Sequence, residues 1–118
     1  MDRKLSAIFI EMASTILANP VAPPSHEAAA VALYLTNVAW MRVLGVESLA
    51  AGDETFLSRM GQENRSLWRE LKSRDVEAMI RDLMAYKRAH HPEDRRHVTL
   101  CGVFDQKVRV EWTDPPAA

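Results

Sequence analysis

A chain of 118 residues, 47% hydrophobic and 26% charged, has the composition of an ordinary globular domain. Fifteen Lys and Arg against sixteen Asp and Glu leave a net charge of −1, which excludes the global field that marks most nucleic-acid and membrane-surface binders. Cys101 is the only cysteine, which excludes an intrachain disulfide framework and a zinc site built mainly of thiolates.

Leu5, Ile8, Phe9, Met12 and Ile16 recur at i, i+3, i+4 and i+7, so residues 2–18 are expected to be helical. Ile10 and Leu17 form a second apolar stripe, giving this helix two sides to cover. Arg3 and Lys4 before the apolar stretch imitate a secretory signal, but Asp2 offsets the charge and Glu11 interrupts the run. The apolar run 28–41 falls short of the roughly 20 residues that span a bilayer and contains Thr36 and Asn37. A cytoplasmic protein is therefore expected.

Pro20, Pro23 and Pro24 break the first helix and enforce a turn. Ser25 suits the N-cap of a second helix, Glu27 its first turn and Gly45 the residue after its end. This helix is apolar on nearly every side, so it is expected either at the centre of the fold or under a second subunit. Asp53 then caps a third helix running to about Lys72 on the phase of Phe56, Leu57, Met60, Leu67, Trp68 and Leu71. The stripe shifts at Val76, so a fourth helix is expected from an N-cap at Ser73 to about Ala89. Arg59 with Glu63, Glu70 with Arg74 and Glu77 with Arg81 have the i, i+4 spacing of surface ion pairs.

Beyond Pro92 the period changes to two, predicting a β-hairpin over residues 97–112. A three-residue loop, Asp105 to Lys107, would pair Phe104 with Val108, Gly102 with Val110 and Leu100 with Trp112, separating an apolar face from a polar one. A bulge near Gly102 would have the same effect. The expected fold class is thus α+β, mainly α, with a four-helix core followed by a C-terminal β-hairpin. It forms one domain over 1–114 with a disordered tail at 115–118.

The chemistry-bearing residues are sparse. His90, His91, Glu93, Asp94 and His97 concentrate metal-ligand types, but no spacing puts two imidazoles on one helix face, so no metal is expected. Cys101 and His97 share a strand face about 13 Å apart, too far for a nucleophile and its base. GxSxG, GxGxxG and GxxxxGK[ST] motifs are absent from the sequence, so neither a catalytic residue nor a cofactor is assigned.

The leading expectation is a noncatalytic interaction or assembly protein that forms a homodimer. The segment Val108, Arg109, Val110, Glu111, Trp112 is self-complementary when paired antiparallel about Val110, which sets Arg109 opposite the partner strand's glutamate. A nucleic-acid-associated regulator using Lys87, Arg88, Arg95 and Arg96 in the segment 87–97 is the alternative. A third reading is a small enzyme or ligand-binding protein with a pocket between helices near Tyr34, Asn37 or Arg42.

Overall fold

The computed structural model describes residues 4–18, 25–46, 67–73 and 75–114. Its elements are α1 (Leu5–Ser14), α2 (His26–Val43), a single turn α3 (Leu67–Glu70), α4 (Val76–His90), β1 (His97–Phe104) and β2 (Lys107–Thr113). The molecule is mainly helical with a two-stranded antiparallel sheet at its C-terminal end. Three of the four helices are long. The expected third helix lies outside the described residues apart from α3, and so does the Arg59–Glu63 pair. No helix among the described residues is long and apolar enough to cross a membrane.

The apolar stripe of α1 is buried at Leu5, Ile8, Phe9, Met12 and Ala13. The helix ends at Ser14, four residues earlier than its periodicity implies. Ser14 and Thr15 turn their hydroxyls back onto the carbonyls of Ile10 and Met12, and the last turn tightens to i→i−3 bonds. Ile16 and Leu17 are buried in another way. Leu17 forms an isolated antiparallel bridge with Leu71 just past α3, where Ala18 N–H donates to Glu70 O at 2.7 Å and Lys72 N–H donates to Ile16 O at 2.8 Å. Ile10, on the second stripe, stays 47% exposed.

Ser25 caps α2 as expected, accepting from Ala28 N–H at 3.2 Å. Its own N–H and hydroxyl donate to the two carboxylate oxygens of Glu70, at 2.8 and 2.5 Å. Glu70 therefore ties α3 to the start of α2; Arg74, its expected i, i+4 partner, lies outside the described residues. At the other end Gly45 adopts φ 85°, and Gly45 and Val46 donate to the carbonyls of Arg42 and Met41 in a Schellman turn. Ten of the 18 residues of α2 are buried. Its neighbours α1, α3, α4 and β1 cover it within one chain, so its greasy surface requires no second subunit.

The helix α4 begins two residues later than expected, with Asp75 rather than Ser73 as the N-cap accepting from Ala78 N–H. Ser73 instead accepts from Asp75 N–H. Glu77 reaches across to Arg42 of α2, with contacts of 3.1 and 3.3 Å. That guanidinium holds the Glu77 carboxyl below its ordinary pKa.

The hairpin corrects the expected register. Its loop is the two-residue Asp105–Gln106, with φ of 49° and 64°, so Phe104 pairs with Lys107, Gly102 with Arg109 and Leu100 with Glu111. Positive φ at both central residues matches a type I′ turn, whose twist suits the two strands. The irregularity sits between Val98 and Leu100, not at Gly102. The inward face is therefore Val98, Cys101 and Val103 with Val108 and Val110, all packed against the helical core. Leu100, Gly102 and Phe104 turn outward. Phe104 lies over Gly102, where a Cβ would stand 3.1 Å from its ring. Of the two strands, β1 packs on α2 and β2 on α1.

Because neither Asp105 nor Gln106 is a glycine, the turn is held at a steric cost. Gln106→Gly is expected to stabilise the protein by about 0.5–1 kcal/mol in urea unfolding. A destabilised variant would mean that the turn is not at these two residues.

Candidate functional site

Among the described residues a dense polar cluster lies where the end of α4 and the segment 91–96 fold back over α2. Trp40 is fully buried on α2, with its ring 5.3 Å from that of Phe9. Lys87, on the last turn of α4, is 1% exposed. Its Nζ sits 4.1 Å from the centroid of the Trp40 ring and donates to the carbonyls of His91, at 3.0 Å, and Asp94, at 2.7 Å. Trp40 Nε1 donates to Arg96 O at 2.8 Å. One lysine and one tryptophan thus hold three carbonyls of the segment leading into β1.

Two clamps flank this anchor. On one side Glu11 of α1 accepts from Tyr86 Oη and meets His91 Nε2, each at 2.8 Å. His90 stacks on Tyr86 with ring centroids 4.2 Å apart. On the other side the Asp94 carboxylate accepts from the Arg96 side chain at distances between 2.5 and 3.2 Å, and the guanidinium lies 5.0 Å from the Trp112 ring centroid. Burial alone would raise the Asp94 pKa, but the hydrogen bonds from Arg96 outweigh it and hold the carboxyl below its usual range. Burial pushes the Lys87 pKa down; Asp94 opposes that shift and the Arg95 charge adds to it.

This geometry distributes the charged residues of 87–97 unevenly. Of the nucleic-acid candidates, Lys87 is buried with its donors taken and Arg96 is held by Asp94. Arg88 and Arg95 are exposed. A backbone binder needs several accessible cations in a row, and these four do not form such a row.

The histidines and the thiol do not converge. His91 faces Glu11, His90 faces Tyr86, and Cys101 points at Leu33 O from 3.7 Å. Burial raises the thiol pKa to about 12, so Cys101 is a protonated core side chain at neutral pH. Among the described residues no three His, Cys, Asp or Glu side chains lie close enough to hold a metal ion.

Near the proposed inter-helix pocket, Arg42 is engaged by Glu77 and Asn37 Oδ1 is buried without a hydrogen-bond partner among the described residues. A cavity of about 310 Å³ lies elsewhere, between Val43 and Leu44 at the end of α2 and Lys87, Pro92, Arg95 and His97. At the hairpin, Arg109 and Glu111 project side by side from β2 and pair with each other, while Trp112 is 43% exposed.

Sequence reasoning missed the Lys87–Trp40 anchor, although a signal for it exists. Ile80, Leu83 and Lys87 stand at i, i+3 and i+7, so the lysine continues the buried stripe of α4. The Glu11–His91 contact spans 80 positions and left no local trace.

Lys87→Met keeps the apolar stem but removes the donors from two carbonyls and is expected to cost about 2–4 kcal/mol in urea unfolding. Trp40→Phe, which removes the bond to Arg96 O, is expected to cost about 1–3 kcal/mol. Glu70, through its bonds from Ser25, Glu77 and Asp94 all have lowered pKa values. Their stabilisation is complete above the unfolded carboxylate range and is lost as pH falls through the folded values, so stability should drop below about pH 4. Asp94→Asn should flatten that acid limb. An unchanged slope would contradict the assignment.

No family model, curated protein or solved structure matches this chain.

Proposed function

We propose that this protein is a noncatalytic assembly module that self-associates through the free edge of β2. The observation that carries the reading is that edge. The sheet has two strands, so among the described residues β2 is paired on one side only. In a two-residue hairpin the pair flanking the turn is hydrogen-bonded and the pairs then alternate, so Val108, Val110 and Trp112 direct their N–H and C=O groups away from β1. A long edge presenting such groups is a template for another strand.

The strand suits a second copy of itself. Antiparallel pairing about Val110 uses its outward backbone groups and sets Arg109 opposite Glu111 of the other copy, replacing an exposed intrachain pair with two cross-strand ones. It also places Trp112 against Val108 of the other copy. Pairing about Arg109 would oppose like charges. Trp112, on the strand itself, is one of the exposed large apolar side chains among the described residues.

Light scattering is expected to give twice the chain mass, with Glu111→Arg dissociating the dimer and Arg109→Glu in the same chain restoring it. Both side chains are exposed, so the fold should tolerate either change. A monomer at high protein concentration overturns self-association, and a dimer indifferent to both charge changes overturns the β2 interface.

A further inference from the structure

We infer that the cavity between the end of α2 and the segment 92–97 binds a small organic anion, an oxyanion head group on a short apolar body. Its volume of about 310 Å³ is at the small end of the range for ligand pockets, about 300–1,000 Å³. Its lining divides into two kinds. Val43, Leu44 and Pro92 supply an apolar wall, whereas Lys87, Arg95 and His97 come from α4, the connecting segment and β1. Among the described residues no acidic side chain lines it.

Asp94, whose charge partly offsets that of Lys87, receives its side-chain hydrogen bonds from Arg96. Arg95 has no acidic partner among the described residues. Its guanidinium stands close enough to the Lys87 ammonium for the two charges to oppose each other. The carbonyl ends of α2 and α4 also approach this place, which would disfavour an anion. Several of those carbonyls are already served, Met41 and Arg42 by the Schellman turn and Lys87 O by the His91 N–H, while the Lys87 ammonium is committed to the carbonyls of His91 and Asp94. Lys87 therefore supplies field rather than contact. Arg95 is the fork that would grip an oxyanion, with a ring N–H of His97 beside it. Val43, Leu44 and Pro92 leave a small apolar area beside the cations, which a short hydrocarbon body would cover.

This site is independent of the β2 edge, so either can fail without the other. The full chain is titrated with hexanoate, hexyl phosphate and the neutral control hexanol, by calorimetry and by amide shifts in ¹⁵N spectra. At least one of the two anions is expected to bind saturably, with shifts centred on Leu44, Arg95 and His97, and the tighter of the two identifies the head group. Arg95→Ala and Arg95→Glu, both at an exposed position, should weaken that binding about tenfold or more. The inference is overturned if neither anion saturates by about 10 mM, if hexanol binds equally well, or if both variants bind as the parent does.

Discussion

A buried ammonium is the constraint around which this protein is arranged. Lys87 leaves water at a desolvation cost that only specific partners offset, and it finds them in the Trp40 ring and in the carbonyls of His91 and Asp94. Those partners belong to α2 and to the segment that follows α4, so satisfying one charge fixes the path of the chain after the helix. Trp40 adds a bond to Arg96 O, one residue before β1 begins. The hairpin is thereby delivered to α1 and α2 in a set orientation, and its valines complete the core. In the interior, breaking such an arrangement costs more than making it gains.

The remaining charges near the anchor are largely structural as well. Glu11 gathers Tyr86 and His91 and so ties α1 to the end of α4, while Asp94 and Arg96 lock each other beneath Trp112. Lys87, His91, Asp94 and Arg96, whose types suggested metal ligation or phosphate binding, are thus occupied in holding the 91–96 segment. Among the described residues, what stays available includes the open edge of β2, the exposed Arg88 and Arg95, and the apolar surfaces of Ile10, Phe104 and Trp112. Recognition by such surfaces needs no catalytic constellation, in keeping with the interaction role proposed above.

Helices with strong periodicity and proper caps were legible from the chain alone. Ser25 and Gly45 bracket α2 because an Oγ acceptor and a left-handed residue are locally required there. The hairpin was legible as an element but not in register. Alternation alone allows either Leu100 and Phe104 or Cys101 and Val103 to be the buried set, and the decision rests on the turn, where Asp105 and Gln106 accept positive φ without a glycine to announce it. The end of α1 was hidden for a related reason. Ile16 and Leu17 keep a helical phase but are buried by pairing beside α3, a long-range contact that periodicity does not encode. The cavity, too, exists only because the chain returns after Pro92 to the end of α2.

Hydrogen exchange in the Lys87→Met protein tests the organising role of the buried lysine most directly. Protection is expected to fall selectively across residues 91–113, with the core amides of α1 and α2 still exchanging at the rates of the parent. Uniform loss of protection throughout the molecule, or unchanged protection in β1, would contradict the view that this ammonium sets the hairpin on the helices.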